Sequence, residues 1–330
     1  MNLKIMLILT TLGLVLAGCS ETPVVVNPRL SEKDLRDRSR AILIEYVHAE
    51  SPVLRSHAIE ALADTNQTTA ANFILEGLND PYWGVRFTAC MAVMQLRHAP
   101  AKPLLEKCIR DPEKSVQAAA AGALHVLGNR RYTSRLGDFL FDKNEVVRRN
   151  AAMVLGRMAD PAALKILRAG LRDEDLSTKL QVLEAMTLLG NKRATRLMIT
   201  SCQSAFDDEC FLAMLTLARV KCRESIDVIG YVYDRSASPN RLGMRMVSAR
   251  ALAMLGDDRG RNAALAALNY YPGRMGQAAT IRYLAALALG EIKDKTVLGN
   301  LEQALADNDP DVQIAAASAV LKTLNDDLPF

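Results

Sequence analysis

The sequence is poor in the residue types that most often build catalytic and metal sites. It has four histidines and one tryptophan among 330 residues, and aromatic residues make up 5% of the chain. No histidine pair has a metal-ligand spacing such as His-x-x-x-His, and there is no Cys-x-x-Cys motif, so zinc binding and thioredoxin-like chemistry have no support. No nucleophile–base pair or carboxylate pair is recognisable either. The sequence therefore predicts no catalytic residue, no metal site and no small-molecule cofactor.

Residues 1–18 have the pattern of a secretory signal peptide. Lys4 supplies a positive charge, residues 5–15 are apolar, and the order Leu-Ala-Gly-Cys follows at residues 16–19. The apolar run is short for a membrane span, which needs about 20 residues. This order resembles the lipobox of bacterial lipoproteins, in which cleavage precedes an acylated cysteine. The resemblance implies a lipid on Cys19 and a cleavage motif of Leu16, Ala17 and Gly18.

Residues 19–30 contain two prolines and no helical period, which indicates a lipidated tether. Two or three acyl chains hold a protein on a membrane stably, whereas one does not. Ser20 follows the cysteine, and in enteric-type bacteria a residue other than aspartate there favours transfer to the outer membrane. We expect the periplasmic face of the outer membrane, with the inner or plasma membrane as the alternative. An ordinary signal peptide or a single membrane span with an incidental cysteine is the other interpretation.

The net charge of the chain is small. Cleavage before Cys19 would remove one lysine and leave 40 basic and 37 acidic residues, a formal net charge of +3. That excess is too small to indicate a nucleic acid partner, and an exported protein would not normally meet one. We therefore expect no nucleic acid binding.

A repeat with a fixed period organises the rest of the chain. Val85, Val116 and Val147 are 31 residues apart, and each is followed by alanine four positions on and by valine or leucine eight positions on. These positions, numbered 0, +4 and +8, lie on one stripe of a helix. A second apolar segment precedes each stripe. Because neither helix can bury its stripe alone, successive helix pairs must stack.

The repeat unit resembles the HEAT-like repeats of the phycobilin-lyase type. Their consensus runs Asp-x-x-x-x-Val-Arg-x-x-Ala-x-x-Ala-Leu-x-x-Leu-Gly, and the segments that begin at Asp80, Asp111 and Asp142 follow it. The resemblance covers about residues 31–325. It implies an all-α fold, a right-handed α-solenoid of about nine HEAT-like helical-hairpin repeats over residues 31–330. It leaves the function open, because the family contains enzymes, scaffolds and adaptors.

The register also predicts the ends of the solenoid and its irregular parts. Insertions are expected around residues 233–243 and 269–278, where the interval between repeats lengthens. A first helix over Glu32–Glu50, with Lys33, Arg36 and Arg38 on its outer side, is expected to be a solvent-facing terminal cap. Asp-Pro pairs at 80–81, 111–112 and 309–310 are expected to start the second helices, with aspartate as N-cap.

Two enzyme families share this type of repeat. Deoxyhypusine hydroxylase holds two irons through paired His-Glu steps, but this sequence has no His-Glu dipeptide, and His48-Ala49-Glu50 is the nearest match. The phycobilin lyases serve bilin maturation in the cytoplasm, which an exported lipoprotein would not reach. We therefore expect a protein that is not an enzyme.

Five cysteines remain besides Cys19, and an odd number leaves at least one free thiol in an oxidising compartment. Cys90 falls at a small buried position. Cys202, Cys210 and Cys222 fall on three consecutive helices, so two of them form a disulfide or all three are buried thiols.

Arginine recurs at position +1, directly after the first residue of each stripe. The members are Arg55, Arg86, Arg148, Arg245 and Arg282, with Lys179 in the same place. One interpretation is a row of cations for an anionic partner. The one we favour is structural: each arginine pairs with an aspartate of a neighbouring turn, drawn from Asp80, Asp111, Asp142 and Asp173.

Positions +3, +6 and +10 of the second helices point away from the buried stripe, towards the concave face of a solenoid. Polar residues mixed with methionine there suit a protein or peptide surface, although any solvated helix face is polar. The candidate partner-binding residues are Met91, Gln95, Asn150, Met153, Arg157, Gln181, Glu184, Arg219 and Arg250.

Residues 235–261 depart most from the repeat and are rich in arginine. Insertions in solenoids often take part in binding, so this basic region is a candidate for contact with anionic lipid or cell-wall polymer, or else a solvated surface. Its candidate residues are Arg235, Arg241, Arg245, Arg259 and Arg261.

Together these features predict a membrane-anchored, non-catalytic scaffold or adaptor of the bacterial envelope. Its expected partner is another envelope protein, bound along the concave face. Binding of anionic polymer or lipid through the basic region is the alternative, and an enzyme of a HEAT-like family comes third.

Overall fold

The computed structural model describes residues 24–65, 70–271 and 275–324, with the backbone alone for residues 275–277. The predicted lipobox, Leu16, Ala17, Gly18 and Cys19, lies outside the described residues. The described chain contains α-helices and short 3₁₀ segments and no strand, which confirms the all-α prediction. Among these helices, none combines the length and apolar character needed to cross a bilayer.

Eighteen α-helices in the described residues form nine consecutive hairpins, so the predicted repeat number is confirmed. The odd-numbered first helices are α1 Glu32–Val47, α3 Ala70–Gly77, α5 Lys102–Cys108, α7 Ser134–Leu140, α9 Leu164–Gly170, α11 Lys192–Ser201, α13 Ile226–Arg235, α15 Arg261–Leu268 and α17 Leu298–Ala304. The even-numbered second helices are α2 Pro52–Asp64, α4 Trp83–Leu96, α6 Lys114–Val126, α8 Glu145–Arg157, α10 Leu176–Leu188, α12 Asp207–Arg219, α14 Leu242–Met254, α16 Met275–Ile292 and α18 Pro310–Leu324.

Three of the second helices end at a glycine, and two second helices do not begin as predicted. Gly128, Gly190 and Gly256 stand two residues after the ends of α6, α10 and α14, with positive φ values of 92°, 78° and 90°, a conformation that glycine adopts without strain. The N-caps of α4 and α6 are Tyr82 and Glu113, so the N-cap prediction for Asp80 and Asp111 is wrong. These two carboxylates instead hold the preceding turn, each accepting the N–H two residues further on.

Four of the recurring arginines make the structural pairs that the sequence favours, whereas Arg245 stacks on Tyr233 and Asp142 pairs with Lys114. Arg55, Arg86, Arg148 and Arg282 each bond in a bidentate way to an aspartate 25 residues later, with N–O distances of 2.6 to 3.0 Å. The aspartates are Asp80, Asp111, Asp173 and Asp307. Each arginine also donates to carbonyl groups of the turn before its own helix. In each pair, one guanidinium is hydrogen-bonded both to the turn before its own helix and to the turn of the next repeat. These bonds fix the angle between successive repeats.

Alanine and glycine bring neighbouring second helices close together. Ala89, Ala120 and Ala151, all at position +4, are fully buried. At position +9, a Cβ built on Gly156 would lie 2.6 Å from Cα of Ala185, and one on Gly290 would lie 2.8 Å from Cα of Ala319. A side chain at either glycine would push the backbones of adjacent second helices apart. These positions therefore set the tight curvature of the stack.

The nine hairpins close into a ring. Each second helix contacts the next one, and α18 contacts α2, so the second helices form a complete inner circle. At this contact, called the seam below, Tyr46 donates to Gln313 Oε1 at 2.9 Å and His57 Nδ1 lies 2.8 Å from Asp311 Oδ1. Arg36 donates to the carbonyl of Leu324 at 3.1 Å. The expectation that α1 is a free end is wrong, because α18 packs against it, whereas Lys33 and Arg38 face solvent as predicted.

Residues 24–30, the described part of the predicted tether, lie against α17. Asn300 donates to the carbonyl of Val24 at 3.0 Å and accepts from the N–H of Val26 at 3.1 Å. The N–H of Arg29 donates to Glu302 at 2.7 Å. A Cβ on Gly299 would lie 1.9 Å from the Val26 carbonyl oxygen, so glycine is needed there for the segment to dock.

Candidate functional site

Ring closure turns the concave face into the wall of a cavity of about 1050 Å³. Seven of the nine second helices contribute side chains to this wall, namely α2, α4, α8, α12, α14, α16 and α18. The main contributors stand at positions +6 and +10 of the repeat. They are Glu60, Asp64, Met91, Gln95, Met153, Arg157, Arg219, Arg250, Met254, Glu291 and Lys322.

Three arginines converge on one side of the cavity. Arg157, Arg219 and Arg250 come from α8, α12 and α14, and all three line the cavity. Glu184, of which 3% is exposed, lies 3.4 Å from Arg219 and 4.0 Å from Arg157. The Nε atoms of Arg157 and Arg250 are buried and form no hydrogen bond with any described residue. This cluster therefore holds donor groups that the described part of the chain leaves unused.

The acidic side chains of the wall are spread around it. Glu291 bonds to Lys322 at 2.9 Å and lies 3.6 Å from Arg250. Asp64 accepts from Gln95 at 3.0 Å. Glu60 stands one helical turn before Asp64 on α2 and opens on the cavity.

The ring enclosure shifts the pKa values of these charged groups. Arg219 is 39% exposed to the cavity, yet the surrounding wall desolvates it and lowers its pKa, and the charges of Arg157 and Arg250 lower it further. Desolvation and the neighbouring Asp64 raise the pKa of Glu60, although its side chain reaches the cavity solvent. Burial by itself would raise the pKa of Glu291, but Lys322 and Arg250 outweigh it, so that pKa is lowered. The cavity thus behaves as a partly dehydrated space in which cations repel one another.

Apolar side chains form much of the remaining wall. Met91 and Met153 stand at position +6 of α4 and α8, Met254 ends α14, and Phe87 lies one turn before Met91. All four are half-buried. Methionine is unbranched and polarisable and fits differently shaped apolar groups, so this part of the wall can accommodate side chains of a bound chain.

The predicted partner-binding residues fall into two groups. Six of the nine line the cavity: Met91, Gln95, Met153, Arg157, Arg219 and Arg250. Asn150 instead donates to Ser115 at 3.0 Å, while Gln181 and Glu184 are buried and hydrogen-bonded to each other. Gln181 and Glu184 thus lie within the wall, and Asn150 is half-buried and does not line the cavity.

Sequence reasoning missed the residues of the turns that follow the second helices. Lys221, Arg223, Leu255 and Lys293 line the cavity, and all of them come after the last turn of α12, α14 or α16. Lys221 reaches across to the carbonyl of Met254 at 2.7 Å. A helical register ends with the helix, so it gives no information about the direction of these side chains.

The basic region does not form a single surface. Arg241 precedes α14 and Arg259 follows it, and the 13 residues of α14 separate them by about 20 Å at 1.5 Å per residue. Arg241 faces Asp207, Arg259 pairs with Asp257, and Arg261 pairs with Asp294. Arg235 and Arg245 stack on tyrosine rings. All five predicted residues thus have partners of their own, and they are distributed over both rims of the ring.

The five cysteines of the described chain are free thiols, so none of the pairs considered among Cys202, Cys210 and Cys222 is bonded. Burial raises the pKa of Cys202 to about 12. The structure brings Cys90 and Cys108 together instead, and their contact raises the pKa of Cys90 well above its usual value. In the described part of the chain, no group of three or more His, Cys, Asp or Glu side chains is arranged to hold a metal ion.

Comparisons with known proteins agree on the architecture. A family model of HEAT repeats matches residues 40–125 and 133–214. No curated protein matches this chain. One similar solved structure is the complex of CpcE and CpcF of phycocyanin lyase from Nostoc sp. PCC7120, at 16% identity over 81% of this chain and 98% of that one, with a TM-score of 0.43.

Two further solved structures show the same kind of similarity. Human deoxyhypusine hydroxylase is 20% identical over 79% of this chain and 97% of that one, with a TM-score of 0.38. Kap121p is 14% identical over 85% of this chain and 37% of that one, with a TM-score of 0.35. The first two comparisons involve enzymes, and at these identities the likeness concerns the fold alone. Since the HEAT-repeat model matches just over half of the residues, and the described chain folds into nine helical hairpins, the protein belongs to the HEAT-repeat family.

Proposed function

We propose that this protein is a lipid-anchored, non-catalytic adaptor of the bacterial envelope, which holds a segment of another envelope protein inside its ring. The observation that supports this most is the convergence of six independently predicted residues on one cavity of about 1050 Å³. Ligand pockets in proteins usually measure about 300 to 1,000 Å³. The cavity is thus large enough for a short stretch of chain.

The dimensions of the ring favour an extended segment. The second helices that form the inner circle have 13 to 18 residues, and 13 residues rise about 20 Å. A fully extended chain advances about 3.3 Å per residue, so roughly six residues would cross the ring. A folded domain is far too wide to enter, which makes a loop, a tail or a terminus the expected occupant.

The wall has the composition of a peptide-binding surface. Met91, Met153 and Met254 provide adaptable apolar contacts, while Arg157, Arg219 and Arg250 provide directed hydrogen-bond donors. The surrounding second helices partly exclude water from the cavity, which weakens its competition for these donors. Both properties favour recognition of a segment that has apolar and polar side chains close together.

The docked tail supports a short connection between the ring and its anchor. Residues 24–30 already lie against α17. If Cys19 is acylated, five peptide steps separate it from Val24, which is at most about 18 Å of extended chain. We infer that the ring stays close to the membrane surface, where it meets partners that are themselves in or on the envelope.

Binding of anionic polymer through residues 235–261 has less support. Arg241, Arg259 and Arg261 pair with carboxylates and lie on opposite rims, so they do not present one charged surface. Salt distinguishes the two functions. Attachment to a polymer through surface charges weakens steeply as ionic strength rises, whereas an interface inside a cavity is screened much less.

The test is a cross-linked pull-down of the acylated protein from its own envelope, washed at low and at high salt. We expect a partner protein that survives high salt and is lost when Met91, Gln95, Met153 and Arg157 are replaced together by serine. A matched control replaces four exposed residues of the outer helices α5 and α9: Glu106, Lys107, Lys165 and Arg168. Equal loss in both variants, or recovery of wall polymer alone, would refute the proposal.

The membrane anchor has a test of its own. Cys19→Ala should leave the precursor uncleaved and without lipid, as judged by mass spectrometry of the purified protein. Normal processing of that variant would show that the protein is not a lipoprotein, and it would not affect binding by the ring.

A further inference from the structure

The arginine cluster of the cavity has more cations than carboxylates in contact with it. Three arginines and Lys322 are matched there by two glutamates. Arg157, Arg219 and Arg250 share Glu184 and Glu291 as their nearest carboxylates, and Glu291 also serves Lys322. An enclosed surplus of cations is costly unless an anion joins it, which the lowered pKa of Arg219 illustrates.

The contacts in the cluster are loose compared with the other arginine pairs of the protein. Arg148 and Asp173, which hold two repeats together, bond at 2.6 and 3.0 Å through two atoms each. In the cavity, single contacts of 3.4, 3.6 and 4.0 Å join the arginines to Glu184 and Glu291. A guanidinium presents five donors in a planar fork. The three arginines therefore have donors to spare, and their side chains are 20% to 39% exposed.

The surroundings favour a carboxylate over a densely charged anion. Glu60 and Asp64 line the same cavity, where Arg157 and Arg250 lower the pKa of Glu60 and Asp64 raises that of Arg219 against the larger opposing effects. They would repel a phosphate dianion or a polyanion more strongly than a single carboxylate. Met91, Met153 and Met254 give apolar contacts to whatever flanks the charge. A carboxylate between apolar side chains is typical of a peptide segment.

A structural role could also account for two of the arginines. Arg157 and Arg219 lie in the last turns of α8 and α12, where a cation offsets the partial negative charge of the helix end. Arg168 in the last turn of α9 has that role alone, since it is exposed on an outer helix. It is therefore the matched control for a recognition role.

We propose that Arg157, Arg219 and Arg250 form a recognition site for a carboxylate of the bound segment, with Glu184 occupying part of that site when the ring is empty. This inference rests on the proposed binding of a segment inside the ring. Glu184 is buried behind the arginines and is hydrogen-bonded to Gln181. A carboxylate from the segment would take the outward-facing donors that Glu184 does not reach.

The experiment uses the full chain labelled with ¹³C at the methionine methyl groups and titrated with two peptides. One is acetyl-Leu-Glu-Glu-Leu-amide, and the other has glutamine in place of both glutamates. We expect the acidic peptide to shift the methyl signals of Met91, Met153 and Met254 and to leave Met198, buried in the outer helix α11, unchanged. The glutamine peptide should bind at least about tenfold more weakly than the acidic peptide, because the charge-assisted hydrogen bonds are then lost.

Three variants test in which direction each side chain changes the affinity for the acidic peptide. Arg219→Gln should lower the affinity for the acidic peptide about tenfold. Glu184→Gln should raise that affinity, because the carboxylate that competes for the arginines is removed. Arg168→Gln should leave the affinity unchanged. A purely structural cluster predicts that Glu184→Gln does not strengthen binding.

Equal binding of the two peptides, or equally tight binding of inorganic phosphate, would overturn carboxylate recognition while leaving binding inside the ring intact. If neither peptide shifts the methionine methyl signals, carboxylate recognition is also overturned. The proposed function fails separately, if the partner captured from the envelope does not depend on the cavity residues.

Discussion

The hydroxyl of Tyr46 in α1 donates a hydrogen bond of 2.9 Å to Oε1 of Gln313 in α18, although 267 residues separate the two. Together with His57–Asp311 and the bond from Arg36 to Leu324, it joins the first hairpin to the last. The two ends of a repeat array ordinarily fray, because each terminal repeat has one neighbour instead of two. In this protein every hairpin has two neighbouring hairpins.

The seam should protect the terminal helices from local unfolding. We expect the backbone amides of α1 and α18 to exchange hydrogen as slowly as those of α8, which lies halfway around the ring. Tyr46→Phe together with Gln313→Leu should speed exchange in α1 and α18 and leave α8 unchanged. Hydrogen exchange followed by mass spectrometry measures this. Fast exchange of α1 in the unmodified protein would mean that the ring opens in solution.

Buried and exposed arginine–aspartate pairs should differ strongly in their contribution to stability. The Arg282 and Asp307 side chains are 6% and 3% exposed, so Arg282→Ala leaves a buried carboxylate without its partner. The expected loss in the free energy of unfolding is about 3 kcal/mol or more. Arg241→Ala, whose partner Asp207 is 65% exposed, should cost less than about 1 kcal/mol. Urea denaturation compares the two, and similar losses would contradict the structural role.

Two glycines should respond to alanine in opposite ways. A Cβ at Gly290 would lie 2.8 Å from Cα of Ala319, so Gly290→Ala must separate α16 from α18 and should cost about 1 to 3 kcal/mol. At Gly137 in α7 the nearest atom would be 3.9 Å away, so Gly137→Ala should stabilise the helix by up to about 1 kcal/mol. Thermal unfolding measures both. A neutral Gly290→Ala would mean that close helix contact there does not set the curvature.

Stability should fall in acid through the paired aspartates. The hydrogen bonds from Arg148 lower the pKa of Asp173 below its usual value of 3.8. Because the folded state holds the proton less tightly than the unfolded state, the contribution is complete above that usual value. It is lost as the pH falls through the lower pKa of the folded state. Asp173→Asn should flatten the slope of the unfolding free energy between about pH 5 and pH 2.

Arg148→Gln gives the internal check on this acid response. It removes the largest cause of the lowered pKa of Asp173 and leaves the hydrogen bond from the N–H of Asp175, so it should flatten most of the slope. The double variant should flatten the slope no more than Asp173→Asn does. An unchanged slope in Arg148→Gln would mean that Arg148 is not the main cause of the lowered pKa.

The repeat register predicts the hairpins and most of the cavity wall because both depend on local helical spacing. Val85, Ala89 and Val93 pack against adjacent helices whatever the curvature of the stack. Met91 and Gln95 then face the opposite way. Ring closure is different, since it is the sum of small rotations over nine repeats. Gly156 and Gly290 influence those rotations through contacts with backbone atoms. No single repeat contains that information, so α1 was expected to be a free end.

Glu184 shows a second limit of the register. Its position +6 predicts an open concave face, yet 3% of the residue is exposed, because Gln181 and two arginines from neighbouring helices enclose it. Register gives the direction of a side chain but not the reach of long side chains next to it. The turn residues Lys221 and Lys293 follow the helix ends, where the register gives no direction at all.

The most direct test of the central claim places a photo-cross-linking amino acid, p-benzoylphenylalanine, at Met153 in the cavity or at Lys165 on the outer helix α9. Both variants are irradiated in living cells of the natural host. If a partner segment lies inside the ring, Met153 gives one protein adduct of defined mass, Lys165 does not, and Arg219→Gln diminishes the adduct. An adduct from Lys165 with none from Met153 would place the partner on the outside of the ring and contradict the account.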